Sequence, residues 1–181
     1  MCIRDRMQSL LSGVPEPVTW DPNGGLPFGE AERKEIFAEL DKDYVSGITF
    51  SGGDPLHPAN ITEVTAFAKE IRKRYPGKTI WLYTGFLWEE ICKEEIVRYL
   101  DVCVDGEFEV DKKELSLKWK GSSNQRVIDV PKTLHEGKVV LHKKKYTGSS
   151  SMRQVYLNCF FTESVSDDHK ILLLFTPFTV T

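Results

Sequence analysis

The stretch Ile48-Thr49-Phe50-Ser51-Gly52-Gly53-Asp54-Pro55-Leu56 constrains this chain more than any other. A β-branched and aromatic run reads as a buried strand. It stops at a Gly-Gly pair, where the backbone can turn sharply and a ligand can approach closely. An acid and a proline follow at once. In an α/β fold, ligands sit at the carboxyl ends of the strands. Asp54 therefore offers its carboxylate where a ligand is expected, and the layout points to a ligand with an amino group. A following acid repels phosphate and suits an ammonium or hydroxyl group better, although glycine-turn amides can also cradle phosphate.

The pattern around that strand is an alternation. Glu30 to Leu40 carries Ile36, Phe37 and Leu40 at helical spacing. Gly47 to Ser51 is the strand. Asn60, with Glu63 three residues on, has the form of a capping box opening a helix. The apolar face of that helix is Ile61, Val64, Phe67, Ala68 and Ile71, and Pro76-Gly77 ends it. Thr79 to Thr84 is the next strand, Trp88 to Leu100 a helix and Asp101 to Asp105 a strand. This order predicts an α/β fold with a parallel sheet. Ser51-Gly52-Gly53, Thr84-Gly85 and Asp105-Gly106 then fall on one common rim. From spacing alone, Thr84 and Asp105 are either ligand contacts or caps of the turns that follow.

Elsewhere the signals are weaker. Val14 to Phe28 holds four of the nine prolines and reads as a loop. Gly121 to Arg126 reads as a solvated loop or an anion site. Arg126 to Val130 and Lys138 to His142 are candidate short strands. Lys143 to Ser151 resembles a linker, and the tail from Met152 has no clear period.

At 181 residues the chain suits one domain, and its net charge of −3 gives no reason to expect nucleic-acid binding. No signal peptide or membrane-spanning run is evident, so the cytoplasm is the expected compartment. Cys2, Cys92, Cys103 and Cys159 form no metal-binding spacing. Cys92 and Cys103 read as small core residues. His57, His135, His142 and His169 are scattered and carry no catalytic pattern. Ser51 lacks the Gly-x-Ser-x-Gly elbow of a hydrolase nucleophile.

Five motifs occur in order: Trp20-Asp21-Pro22-Asn23-Gly24-Gly25, Ser51 to Pro58, Trp81-Leu82-Tyr83-Thr84-Gly85, Val104-Asp105-Gly106 and Gly121-Ser122-Ser123-Asn124-Gln125-Arg126. Together, from about Thr19 to about Val130, they resemble the activating proteins of anaerobic ribonucleoside-triphosphate reductase, which are radical S-adenosylmethionine enzymes. The resemblance implies a partial parallel (β/α) barrel. It also implies a [4Fe-4S] cluster and S-adenosylmethionine as cofactors, the reductase large subunit as partner and an electron donor such as flavodoxin. The product would be a glycyl radical on the reductase. Ser51, Gly52, Gly53 and Asp54 match the motif that holds the methionyl amino group. Thr84 and Asp105 lie at matching rim positions.

The chain departs from the family before Trp20. Ser12 to Val18 contains no cysteine where a Cys-x-x-x-Cys-x-x-Cys loop is expected, and cluster ligation needs thiolates. Either the first strand and cysteine loop are missing and Met1 to Arg6 is foreign sequence, or the cluster has been lost. The expected organisation is an irregular segment over 1–18, a radical S-adenosylmethionine-like domain over 19–142 and a poorly defined tail over 143–181. The chain as written is expected to be inactive. Two further readings stay open. One is a cluster-free module that docks on the reductase. The other is an iron-independent S-adenosylmethionine- or nucleotide-binding α/β enzyme.

Overall fold

The computed structural model describes residues 28–51, 54–114, 116–143 and 153–158, the last of these as backbone only. The expectations for Met1 to Pro27, for Gly52 and Gly53, and for most of the tail lie outside the described residues.

The alternation read from the sequence is present. Helix α1 (Glu30–Leu40) leads to strand β1 (Val45–Ser51), helix α2 (Ile61–Arg74) and strand β2 (Thr79–Tyr83). A short helix α3 (Trp88–Ile91) and a 3₁₀ turn (Glu95–Tyr99) precede strand β3 (Val102–Asp105). Strand β4 (Arg126–Asp129), helix α4 (Val130–Glu136) and strand β5 (Arg153–Asn158) follow. The strands form one open sheet in the order β4-β3-β2-β1-β5. β1 pairs parallel with β2 and β5, β2 pairs parallel with β3, and β4 runs antiparallel to β3.

The pleat sorts side chains between two cores. Ile48, Phe50, Ile80, Leu82, Cys103 and Ile128 face the helices and meet Ile36, Leu40, Val64, Phe67, Ile71, Trp88 and Ile96. Trp81, Val102 and Val104 lie in a second cluster with Tyr83, Trp119 and Val127. The described helices thus pack into the first core, and α2 buries the stripe its periodicity predicts, with Val64, Phe67, Ala68 and Ile71 inside.

The sequence reading needs correction in four elements. Trp88 to Leu100 is not one helix. An unbroken helix facing Trp88, Ile91, Cys92 and Ile96 inward would turn Val97 away from the core. The break after Ile91 lets Ile96, Val97 and Leu100 all bury. Secondly, Asn60 makes no side-chain cap on α2; its amide nitrogen donates to the Asp54 carbonyl oxygen instead, at 3.2 Å. Glu63 is engaged by Arg33. Thirdly, α4 is a helix that hydrophobic period does not reveal. Its signals are chemical: Asp129 accepts the Lys132 amide as N-cap, Pro131 sits in the first turn, and Gly137 closes it in the left-handed region at φ 68°. Finally, Lys138 to His142 forms only an isolated bridge, Leu141 to Ile128, against the outer edge of β4.

At the amino-terminal end of the sheet, Arg72 of α2 binds the Asp101 carboxylate, the Tyr99 carbonyl and the Lys78 carbonyl. Asp101 also accepts the Ile80 amide at 2.7 Å. One guanidinium therefore pins α2 across the entries of β2 and β3. A cleft of about 950 Å³ opens at this same end, among Tyr44, Lys78, Trp81, Asp129 and His142. It lies away from the rim where ligands were expected.

At Gly47 of β1 a Cβ would stand 2.0 Å from the Thr79 carbonyl oxygen of β2. No side chain fits there without moving backbone. Gly47→Ala is expected to lower stability by about 1–3 kcal/mol, measured as a fall in the urea midpoint at unchanged slope. A midpoint equal to that of the wild type would contradict this strand contact.

Candidate functional site

The carboxyl ends of β1, β2 and β3 and the start of antiparallel β4 share one rim. Ser51 ends β1, Thr84 follows β2, Asp105 ends β3 and Arg126 opens β4. Asp54 follows the Gly-Gly pair. The structure thus brings Ser51, Asp54, Thr84 and Asp105 to the same end of the sheet, while Gly52 and Gly53 lie outside the described residues. Asp54 and Asp105 are close enough to one core thiol for both charges to act on it. Burial pushes the Cys103 thiol far up, and Asp105 and then Asp54 add to the rise.

Asp54 links two turns. Its Oδ1 accepts the Leu56 amide at 2.9 Å, an Asx turn that shapes its own loop. Its Oδ2 accepts the Gly85 amide at 2.8 Å. The Thr84 hydroxyl lies 2.9 Å from both oxygens. Thr84 is buried, and its Oγ1 also accepts the Phe86 amide at 3.2 Å. Burial raises the Asp54 carboxyl, and the bonds from Leu56, Gly85 and Thr84 pull it part of the way back.

Asp105 is fully buried and answers a different set of donors. Oδ2 accepts the Trp88 amide at 2.8 Å, the first free amide of α3. Arg126, its register partner across β3 and β4, binds both its oxygens. The same guanidinium makes a two-pronged pair with Glu89, at 3.1 and 2.8 Å. Arg126 is held firmly in its charged form by Asp105 first and Glu89 second. A buried carboxylate is thereby neutralised, and β3, β4 and α3 are tied at one point.

The Gly121 to Arg126 motif is a braced loop, with Gly121 and Ser123 exposed to solvent and Ser122 buried. Gln125 Oε1 accepts the amides of Gly121 and Ser122 at 2.9 and 3.2 Å. Its Nε2 donates to the Gly106 carbonyl, and Asn124 Nδ2 donates to the Glu107 carbonyl. Ser122, fully buried, accepts the Glu109 amide. The amides of Gly121, Ser122, Ser123 and Gln125 are already taken, and the loop clamps the exit of β3. Sequence reasoning missed this role of Gln125 and Asn124. The signal available to it was two neighbouring side-chain amides before a strand whose partner ends in Asp-Gly.

Cys103 sits in the helix-side core and Cys92 packs against it, as small core residues. Among the described residues, no group of three His, Cys, Asp or Glu side chains could hold a metal ion. The described residues therefore do not fit an iron–sulfur cluster. No described helix is long and apolar enough to cross a membrane.

A largely parallel open sheet, with helices in one core and the acids Asp54 and Asp105 at its carboxyl rim, defines an α/β protein. The profile of the 4Fe-4S single cluster domain family matches residues 13–128, more than half of the chain. The anaerobic ribonucleoside-triphosphate reductase-activating protein of Escherichia coli K12 is 42% identical over 113 residues, covering 60% of this chain and 73% of the relative. Its counterpart from bacteriophage T4 is 39% identical over 109 residues, covering 60% and 69%. That of Vibrio cholerae is 34% identical over 111 residues, covering 59% and 72%. No solved structure gives a significant match. The chain belongs to the 4Fe-4S single cluster domain family and is a homologue of the anaerobic ribonucleoside-triphosphate reductase-activating proteins.

Two predictions follow from the rim's charges. Arg126→Met leaves Asp105 buried and unpaired and should cost about 3–5 kcal/mol, whereas Glu89→Gln at the exposed end should cost under about 1 kcal/mol. Chemical denaturation of both variants checks the ranking. For Asp54 the native carboxyl holds its proton above the ordinary value of 3.8. Its contribution to stability is full below the unfolded value and is lost as pH rises through the native one. An NMR titration should find Asp54 titrating above 3.8; a value at or below this contradicts the burial argument.

Proposed function

We propose that the chain is the cofactor-binding and partner-binding part of a radical S-adenosylmethionine glycyl-radical activase serving anaerobic ribonucleoside-triphosphate reductase. The open sheet stands for the partial (β/α) barrel of that class. The methionyl ammonium group of S-adenosylmethionine sits at the Ser51 to Asp54 turn, beside Thr84. The observation that carries this reading is the acceptor count at Asp54. A carboxylate offers about four lone-pair sites. The Leu56 amide, the Gly85 amide and the Thr84 hydroxyl fill three. One acceptor site remains at a strand end, which suits one N–H of an ammonium group. Asp105 offers less, because it is fully buried and ion-paired with Arg126. Its proposed part is to hold the β3 end of the rim.

In activases of this class a [4Fe-4S] cluster supplies the electron that cleaves S-adenosylmethionine reductively. This chain contains no Cys-x-x-x-Cys-x-x-Cys sequence. As written, the chain is proposed to be inactive in radical generation. Its partners in this reading are the reductase large subunit and, for the cluster-bearing activases, an electron donor such as flavodoxin, all in the cytoplasm. The missing cysteine loop also favours a second reading, a cluster-free module that docks on the reductase.

Calorimetry with S-adenosylmethionine tests the rim. Binding that weakens at least about tenfold in Asp54→Ala is expected, on the scale of a lost charged hydrogen bond; unchanged affinity removes the turn from the site. Anaerobic reconstitution of the 181-residue chain with iron and sulfide should give no stoichiometric [4Fe-4S] chromophore and no 5′-deoxyadenosine. A stoichiometric cluster would overturn the inactivity. Capture of the reductase large subunit without cofactor cleavage is the outcome expected of the docking module.

A further inference from the structure

We infer that Asp54 is a positioning residue that latches the turn after β1 to the turn after β2, with the Thr84 hydroxyl as the bolt. The incoming ammonium group takes only the acceptor site this latch leaves over. The inference rests on the reading of the rim as the S-adenosylmethionine site and gives its two side chains distinct tasks.

The geometry is specific. β1 and β2 are paired in register as far as Phe50 and Leu82, and their chains then diverge into separate turns. Across the described part of that gap, Asp54 bonds forward to its own Leu56 amide and sideways to the Gly85 amide and Thr84 hydroxyl. Asn60, at the start of α2, adds a bond to the Asp54 carbonyl. Thr84 is only 6% exposed, and its hydroxyl oxygen lies 2.9 Å from both carboxylate oxygens of Asp54. Thr84 is therefore not a ligand contact through its hydroxyl; it holds Asp54. Burial of the carboxylate disfavours its charged form more than the bonds it receives favour it. A charge retained at such a cost belongs to function more often than to folding.

A ligand role for Asp54 with no latch, and a ligand role that depends on the latch, make opposite predictions for Thr84→Val. Removing the hydroxyl frees a lone pair on Asp54. If Asp54 acts only as a ligand contact, cofactor binding stays equal or tightens. If it acts as a latch, the turns separate and binding weakens about tenfold. Thr84→Ser keeps the hydroxyl and is the rescue variant, expected within about threefold of wild type.

The test has two readouts on the whole chain. The first is amide hydrogen exchange at Leu56 and Gly85 without ligand. The second is calorimetry with S-adenosylmethionine. Thr84→Val should accelerate exchange at both amides about tenfold and weaken binding, with Thr84→Ser restoring both. Unchanged exchange in Thr84→Val, or binding as tight as wild type, overturns the inference. If the wild type takes up no S-adenosylmethionine while Thr84→Val still accelerates exchange, the latch stands and the cofactor reading of the rim fails.

Discussion

Two carboxylates withdrawn from water at the strand ends dictate how this rim is built. A buried carboxylate must be met by donors or a cation, since an unanswered charge costs several kcal/mol. Asp105 has no exposure, so Arg126 lies opposite it on β4 and the first amide of α3 points at it. β4 runs antiparallel to its neighbour, and this is what brings its first residue, Arg126, to the carboxyl end of β3. Asp54 makes a weaker demand and is met by neutral donors: two amides and a hydroxyl. The direction of one strand and the conformations of two turns thus answer the same electrostatic requirement.

The difference between the two acids sorts their tasks. A carboxylate neutralised by a guanidinium that is itself forked onto Glu89 has no charge left for a ligand. A carboxylate surrounded by neutral dipoles keeps its charge and one acceptor site. The β1–β2 half of the rim is therefore held by neutral donors, while the β3–β4 half is a charged structural staple. The Gly121 to Gln125 loop strengthens that staple, because Gln125 and Asn124 bond to the Gly106 and Glu107 carbonyls just past Asp105.

The fold was legible where hydrophobic period and glycine punctuation agreed. β1 to β3 and α2 have both, and their order fixed a common rim for Asp54, Thr84 and Asp105. The reading failed where packing overrode period, as at Val97, whose burial needs the helix from Trp88 to break. It also failed where the signal was a cap rather than a stripe, as in the Asp129, Pro131 and Gly137 set of α4. For the site, residue types were readable but partners were not. Nothing in the spacing of Asp105 and Arg126 says that they meet across an antiparallel pair. The same limit applies to Asp54 and Thr84, which are thirty residues apart and joined by a direct bond.

Membership of the 4Fe-4S single cluster domain family sharpens the meaning of the cysteines. Cluster ligation needs exposed, readily ionised thiols gathered in one loop. Cys103 has the opposite character, sunk in the core with its thiolate disfavoured by burial and by two nearby carboxylates. Burial is the larger cause of this thiol's inertness, and the carboxylates of Asp105 and Asp54 add to it. The chemistry of an anionic cluster would require thiolates supplied from elsewhere, and the core beneath the rim does not provide them.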